Sequence, residues 1–256
     1  MFGQAERKDS PSTLIPDADN AAVGKYVKSI ATGVLPVAFS VFRVTFDSFE
    51  RSLLPKGIAK KQKEVFKMQE NSKKYVYKLT LSAVFVALAT ALSLIKVYEL
   101  PLGGSVTLLS MLPIVMISCM LGLKWGFGSA FVYSLIQLGF GITIDGMLGW
   151  GLTPLSLVGT IVLDYILPFT LLGLGGIFAK KGTIGIAFGT ALALVARFLC
   201  HLLSGVIIFD IWCEWDNVWF YSLCYNGSFM LPELIITTIG AVLIFSTPQI
   251  KKLIRK

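Results

Sequence analysis

Six long apolar runs, joined by short polar links, leave this chain few folds to choose from. They cover about 77–94, 106–121, 124–142, 154–178, 183–209 and 219–245. A helix needs about 20 apolar residues to cross the hydrocarbon core of a bilayer. None of the short alternating segments of a membrane barrel is present. The sequence therefore predicts an all-α polytopic membrane protein, a bundle of six transmembrane helices. Charge is scarce, 15% of residues against about 25% in soluble domains, and its placement sets the orientation. Lys73, Lys74 and Lys78 precede the first run. Lys124 parts the second from the third, and Lys180 and Lys181 part the fourth from the fifth. Lys251, Lys252, Arg255 and Lys256 close the chain. All fall on one side of a six-span topology, while the opposite links hold a single base, Lys96, beside Glu99, Asp145, Asp210, Glu214 and Asp216. The positive-inside rule then puts both termini in the cytoplasm of a cell-membrane protein. The net charge of +8 is this topological signal, not a nucleic-acid patch.

Polar groups inside the runs mark a site, because an ionisable side chain at mid-membrane costs roughly 2.5–3.5 kcal/mol on insertion scales. Four such residues occur: Asp164, Arg197, Glu233 and His201, the chain's single histidine. Arg197, His201, Ser204 and Gly205 share one face of the fifth run at helical spacing. Arg197 reads as a structural partner of Glu233 or of the cytoplasmic interface. Asp164 and Tyr165 have Tyr133, Gln137 and His201 as candidate neighbours. Phe209, Trp212 and Tyr221 are placed to border a pocket between the fifth and sixth runs. Trp150 and Trp215 suit an interfacial aromatic belt. One carboxylate, one imidazole, aromatic faces and the Asn226 amide suit a flat, cationic, hydrogen-bonding heterocycle. Ser204, one turn from His201, leaves an intramembrane hydrolase as an alternative of another class. However, no nucleophile elbow, metalloprotease or phosphate-loop motif accompanies it. The four cysteines lack metal spacing, so neither a metal site nor a disulfide framework is expected, and no cofactor is implied. Ala83, Ala87 and Ala91 form a smooth stripe on the first span, suited to internal packing or to a partner helix.

Several of these segments resemble the thiamine-specific substrate-binding (S) component of energy-coupling factor transporters. They are AVFVALA in the first span, LPLGGSVTLLSMLPI entering the second, LDY at 163–165, and HLLSGVIIF followed by YSLCYNGS. The resemblance covers about Tyr75 to the C-terminus. It implies a six-helix protein, not an enzyme, that binds thiamine tightly near the external surface. It also implies partners: one transmembrane coupling subunit and two cytoplasmic ATPases. Asp164 falls where the family carries an acidic ligand, often Glu, and Tyr165, His201, Tyr221 and Asn226 fall at further ligand positions. Phe209 occupies an aromatic position that is Trp in some members, so the resemblance implies stacking there that is weaker or taken over by Trp212. Pro154 stands where the family can supply a Tyr, and the loop 145–153, including Trp150, is a possible lid. The Ala83, Ala87 and Ala91 stripe matches the family's docking motif. Another vitamin, or a pyrimidine or thiazole precursor, is the nearest alternative ligand.

Residues 1–67 differ in character: polar and basic, with one apolar run at 30–46 interrupted by Pro36 and Arg43. Met68 opens a stretch that resembles an ordinary start for the family, giving a domain of residues 68–256. The upstream peptide also back-translates in a telling way. Gln4–Arg7 permits codons containing GCUGAGA, Ile15–Ala21 permits ACCUGAU and GGAUAAUGCC, and Val23–Lys25 permits GUAGGGA. These resemble, in order, the strings of the thiamine-pyrophosphate riboswitch. The expectation is that residues 1–67 are translated RNA leader and that the functional protein begins at Met68. Reading the gene's nucleotides decides it.

Overall fold

The computed structural model describes residues 56–100 and 104–250, with Ser40 and Val44. The chain divides into two compact units, Met1–Asn71 and Ser72–Lys256. The reading of 1–67 as an extension or leader lies largely outside the described residues, as do the C-terminal bases. The chain is a helical membrane protein. Its helices are α1 (Lys56–Ser93), α2 (Leu112–Leu121), α3 (Leu123–Thr143), α4 (Pro154–Thr160), α5 (Leu167–Thr170), α6 (Gly182–Ile207) and α7 (Val218–Ser246). Among the described residues four helical stretches are long and apolar enough to cross a membrane, and one of them is the 54-residue stretch Pro154–Ile207.

That stretch folds back on itself. Gly182, at φ 79°, makes the left-handed turn that a side chain disfavours. Beyond it, Gly189 packs onto the Gly175 carbonyl so closely that a Cβ there would collide with backbone. The arm before the turn is irregular for a stated reason. Pro168 has no N–H to give the Asp164 carbonyl, so the helical ladder is interrupted. The backbone answers with a π turn over Ile161–Ile166, then tightens to a 3-10 helix over Leu171–Gly176. Ser118 of α2 pins that tightened part, donating to the Gly173 carbonyl at 2.5 Å and accepting from the Gly176 N–H at 3.0 Å. Lipid tails are as apolar as leucine, so close backbone approach and polar ties of this kind hold membrane helices together.

The faces of α6 are sorted accordingly. Ile184, Phe188, Leu192, Val195, Leu199 and Leu203 point outward, while Arg197, His201, Ser204 and Gly205 are buried. One departure from the expected helices stands out. The second apolar run is not a single helix from 106, because its first residues form strand β2 (Ser105–Thr107), paired antiparallel with β1 (Lys96–Glu99). A buried carboxylate explains it. Glu233 accepts from the Thr107 N–H at 2.5 Å and from its hydroxyl at 2.7 Å, fastening the ribbon to α7.

Candidate functional site

Below the ribbon and among α3, the π turn, α6 and α7 lies a cavity of about 510 Å³. Asp164, Tyr165, His201, Phe209, Tyr221 and Asn226 all line it, and so does Trp150. Trp212 is not part of the lining; its ring stands 5.4 Å from that of Phe209, which in turn meets Trp150 at 6.0 Å. Trp150 is steadied by its indole N–H on the Asp145 carbonyl, 3.1 Å. Ala83, Ala87 and Ala91 lie elsewhere, exposed along an apolar groove between α1 and α3 that Val132 and Ile136 complete.

The π turn carries Asp164 into the cavity. Such bulges recur at functional sites because they re-aim one side chain without ending the helix. The Asp164 carboxylate is engaged from α6 on both oxygens. His201 Nδ1 lies 3.0 Å from Oδ1, and the Ser204 hydroxyl donates to Oδ2 in a short bond. On the far side of the imidazole, Arg197 Nε donates to His201 Nε2 at 3.2 Å. This wiring decides against the hydrolase alternative. A serine nucleophile needs its hydroxyl on the imidazole that removes its proton. Here Ser204 donates to Asp164, and the distal imidazole nitrogen is taken by Arg197.

Arg197 and Glu233 are not the ion pair expected of them: among the described residues no salt bridge joins the two. Glu233 gives one oxygen, Oε1, to the ribbon, whereas the Arg197 Cζ lies 4.1 Å from the centre of the Phe169 ring with Nη1 2.8 Å from Met111 Sδ. Both line the cavity, which corrects the reading that set Arg197 apart from the site.

The α7 wall is a ladder one turn apart per rung. Tyr221 stacks on Tyr225 with centroids 6.2 Å apart, Tyr225 meets Phe229 edge-on at 6.1 Å, and Phe229 meets His201 at 5.9 Å. Beside it Asn226 commits its NH₂ group to the His201 and Ser222 carbonyls, at 3.2 and 3.0 Å. Its Oδ1 has no bond among the described residues and can accept from a ligand. Tyr225 and Phe229 were not singled out from sequence, although their spacing of four from Tyr221 carries the signal.

At the loop end, Lys96 joins the two segments that border the cavity. Its ammonium reaches Glu99 at 2.6 Å and Asp145 at 3.0 Å. Partial burial alone would lower this lysine, but the two carboxylates outweigh it and hold the group above its ordinary 10.5. A raised lysine gives its contribution in full below the unfolded value and loses it only as pH climbs through the folded one. The tie therefore persists at all physiological pH.

A family model described as thiamine transporter protein matches residues 79–253, a span that contains the whole cavity. The chain belongs to this family. Among curated relatives in the thiamine transporter family, "Thiamine transporter ThiT" of Bacillus subtilis is 30% identical over 198 residues, 71% of this chain and 97% of that one. The protein of the same name in Lacticaseibacillus paracasei is 29% identical over 154 residues, 55% of this chain and 73% of that one. A solved structure of ThiT from Listeria monocytogenes matches with a TM-score of 0.56 at 21% identity, over 71% of this chain and 98% of that one. That likeness shows the shared fold. The family is one of transport proteins, and nothing in the wiring around Ser204 argues for an enzyme.

Proposed function

We propose that the chain is the thiamine-binding membrane subunit of an energy-coupling factor uptake system in a bacterial cell membrane. The observation that carries this reading is the convergence of Asp164, His201 and Asn226 with aromatic faces in one cavity, within the residues the family model matches. Its volume falls within the usual range for small-molecule sites, about 300–1,000 Å³. Asp164 is the counter-charge for the thiazolium cation, and Asn226 Oδ1 takes an N–H from the aminopyrimidine. Tyr165, Phe209 and Tyr221 supply faces for the two rings, with Trp212 backing Phe209.

In this reading the helices make six spans with both termini cytoplasmic, and the site opens outward. The chain carries no phosphate-loop motif, so the energy comes from partners: a coupling subunit in the membrane and two ATPases beneath it. The exposed Ala83, Ala87 and Ala91 stripe is the contact for the coupling subunit, since small residues let helix backbones approach. The test is a titration of the purified protein with thiamine, following tryptophan emission, for which Trp150 at the cavity is the reporter. Saturable quenching below micromolar thiamine is expected; its absence sinks the reading.

The Lys96 tie gives a kinetic prediction. Ion pairs near the surface are worth about 0.2–1 kcal/mol, so Lys96→Met should speed thiamine release about 1.4- to 5-fold by freeing the loop after α3. Stopped-flow displacement measures this, and an unchanged release rate would show that the tie does not restrain the loop.

A further inference from the structure

We infer that Arg197 is a positioning residue that fixes the tautomer of His201 and thereby keeps Asp164 available to a cationic ligand. The inference rests on the proposed thiamine site and concerns a residue with no assigned part in it. A guanidinium only donates, so the imidazole nitrogen facing it must carry a lone pair. Arg197 Nε stands 3.2 Å from His201 Nε2, which is therefore the acceptor. The ring's one proton then sits on Nδ1, 3.0 Å from Asp164 Oδ1, where it can be donated to the carboxylate. Ser204 donates to the other oxygen.

Both carboxylate oxygens are thus held by neutral donors, and the negative charge is left uncancelled. If Nε2 lost its donor, two other states would open. A proton on Nε2 would turn the Nδ1 lone pair against the Asp164 oxygen. A proton on each nitrogen would make an imidazolium that pairs with Asp164 and competes with the ligand for its charge. The fixed positive charge of Arg197, one helical turn away, opposes this second state. Arg197 is itself held. It is buried, its Cζ lies 4.1 Å from the centre of the Phe169 ring, and Nη1 lies 2.8 Å from Met111 Sδ. Around the imidazole stand Asp164 from the π turn, Arg197 from its own helix and the uncharged Phe229 from α7, while Asn226 of α7 bonds the His201 backbone carbonyl. Glu233 of α7 and Tyr133 of α3 line the same cavity.

The chain has one histidine, so its imidazole can be watched without assignment. Full-length protein labelled with ¹⁵N-histidine should give a protonated-type signal for Nδ1 and an unprotonated-type signal for Nε2, without any ligand. A wild-type protein protonated on Nε2 overturns the proposal, whatever any variant does. In Arg197→Met the two signals should move toward a mixture of tautomers, and thiamine affinity should fall about 10-fold, the worth of one hydrogen bond to a charged group. Arg197→Lys, which can still donate, should restore the wild-type pattern and most of the affinity. In a His201→Ala background Arg197→Met should add little further loss. A full additional loss there, or an unchanged spectrum in a folded Arg197→Met, overturns the role. Failure of the wild type to bind thiamine would count against the functional reading instead, because the tautomer signals need no ligand.

Discussion

Asp164→Asn is expected to weaken thiamine binding by about 10- to 150-fold. It should change the affinity for a neutral analogue, with the thiazolium replaced by an uncharged ring, by no more than a few-fold. The size follows from a charged hydrogen-bonded contact being worth about 1.5–3 kcal/mol, at 1.4 kcal/mol per factor of ten. The asymmetry follows from what the substitution leaves alone. Asparagine keeps the volume, the position on the π turn and an oxygen for Ser204 or His201. It removes the charge. The counter-charge that answers the cationic ring is then gone. Calorimetric or fluorescence titration of both ligands against both proteins measures the difference. Equal losses for the two ligands would mean that Asp164 shapes the cavity rather than answering a charge.

Most of the membrane architecture was legible because it is written locally. The outward stripe of α6, from Ile184 to Leu203, and its inward polar face repeat with the helix period. The structure places α3, α6 and α7 within a residue or two of the apolar runs. The second run shows where that logic ends. Val106 opens an apolar run as long as a span, yet with Ser105 and Thr107 it forms a strand. The cause is Glu233, 126 positions away from Thr107, and no local pattern records such a partner. The same distance hid the true company of Arg197. Opposite charges in two spans suggested a pair, whereas Glu233 turns Oε1 to Thr107 and Arg197 found the imidazole one turn along its own helix. That contact was available from spacing alone, as was the run Tyr221, Tyr225, Phe229. The ligand set implied by resemblance came together in one cavity apart from Trp212, which backs Phe209. Trp212 lies on a short 3-10 turn, Phe209–Trp212, where neither a helical nor a strand period says which side chain faces in.

Two glycines near the ligand cavity should behave in opposite ways, and the contrast tests how the α6–α7 wall is built. Gly205 lies where α6 crosses α7. A Cβ there would strike the Ser222 hydroxyl and stand 3.0 Å from Ser222 Cβ and 3.1 Å from Asn226 Nδ2. Ser222 cannot simply rotate away without giving up its bond to the Leu202 carbonyl at 2.8 Å, and it also accepts from Asn226 at 3.2 Å. Gly205→Ala must therefore part the helices or turn the Asn226 amide, and either moves Oδ1 from its place in the cavity. Overpacking of this kind costs about 1–3 kcal/mol, so the variant should melt several degrees lower and bind thiamine about 10-fold more weakly. Gly227, the next residue after Asn226, has open space where its Cβ would go. Gly227→Ala should bind as the wild type does and melt at the same temperature or slightly higher, since alanine is the better helix former by up to about 1 kcal/mol. Thermal melts and thiamine titrations on the two variants give the answer together. Wild-type binding by Gly205→Ala would show that Asn226 is not held by the α6–α7 contact, and its amide oxygen would lose its claim as a ligand acceptor.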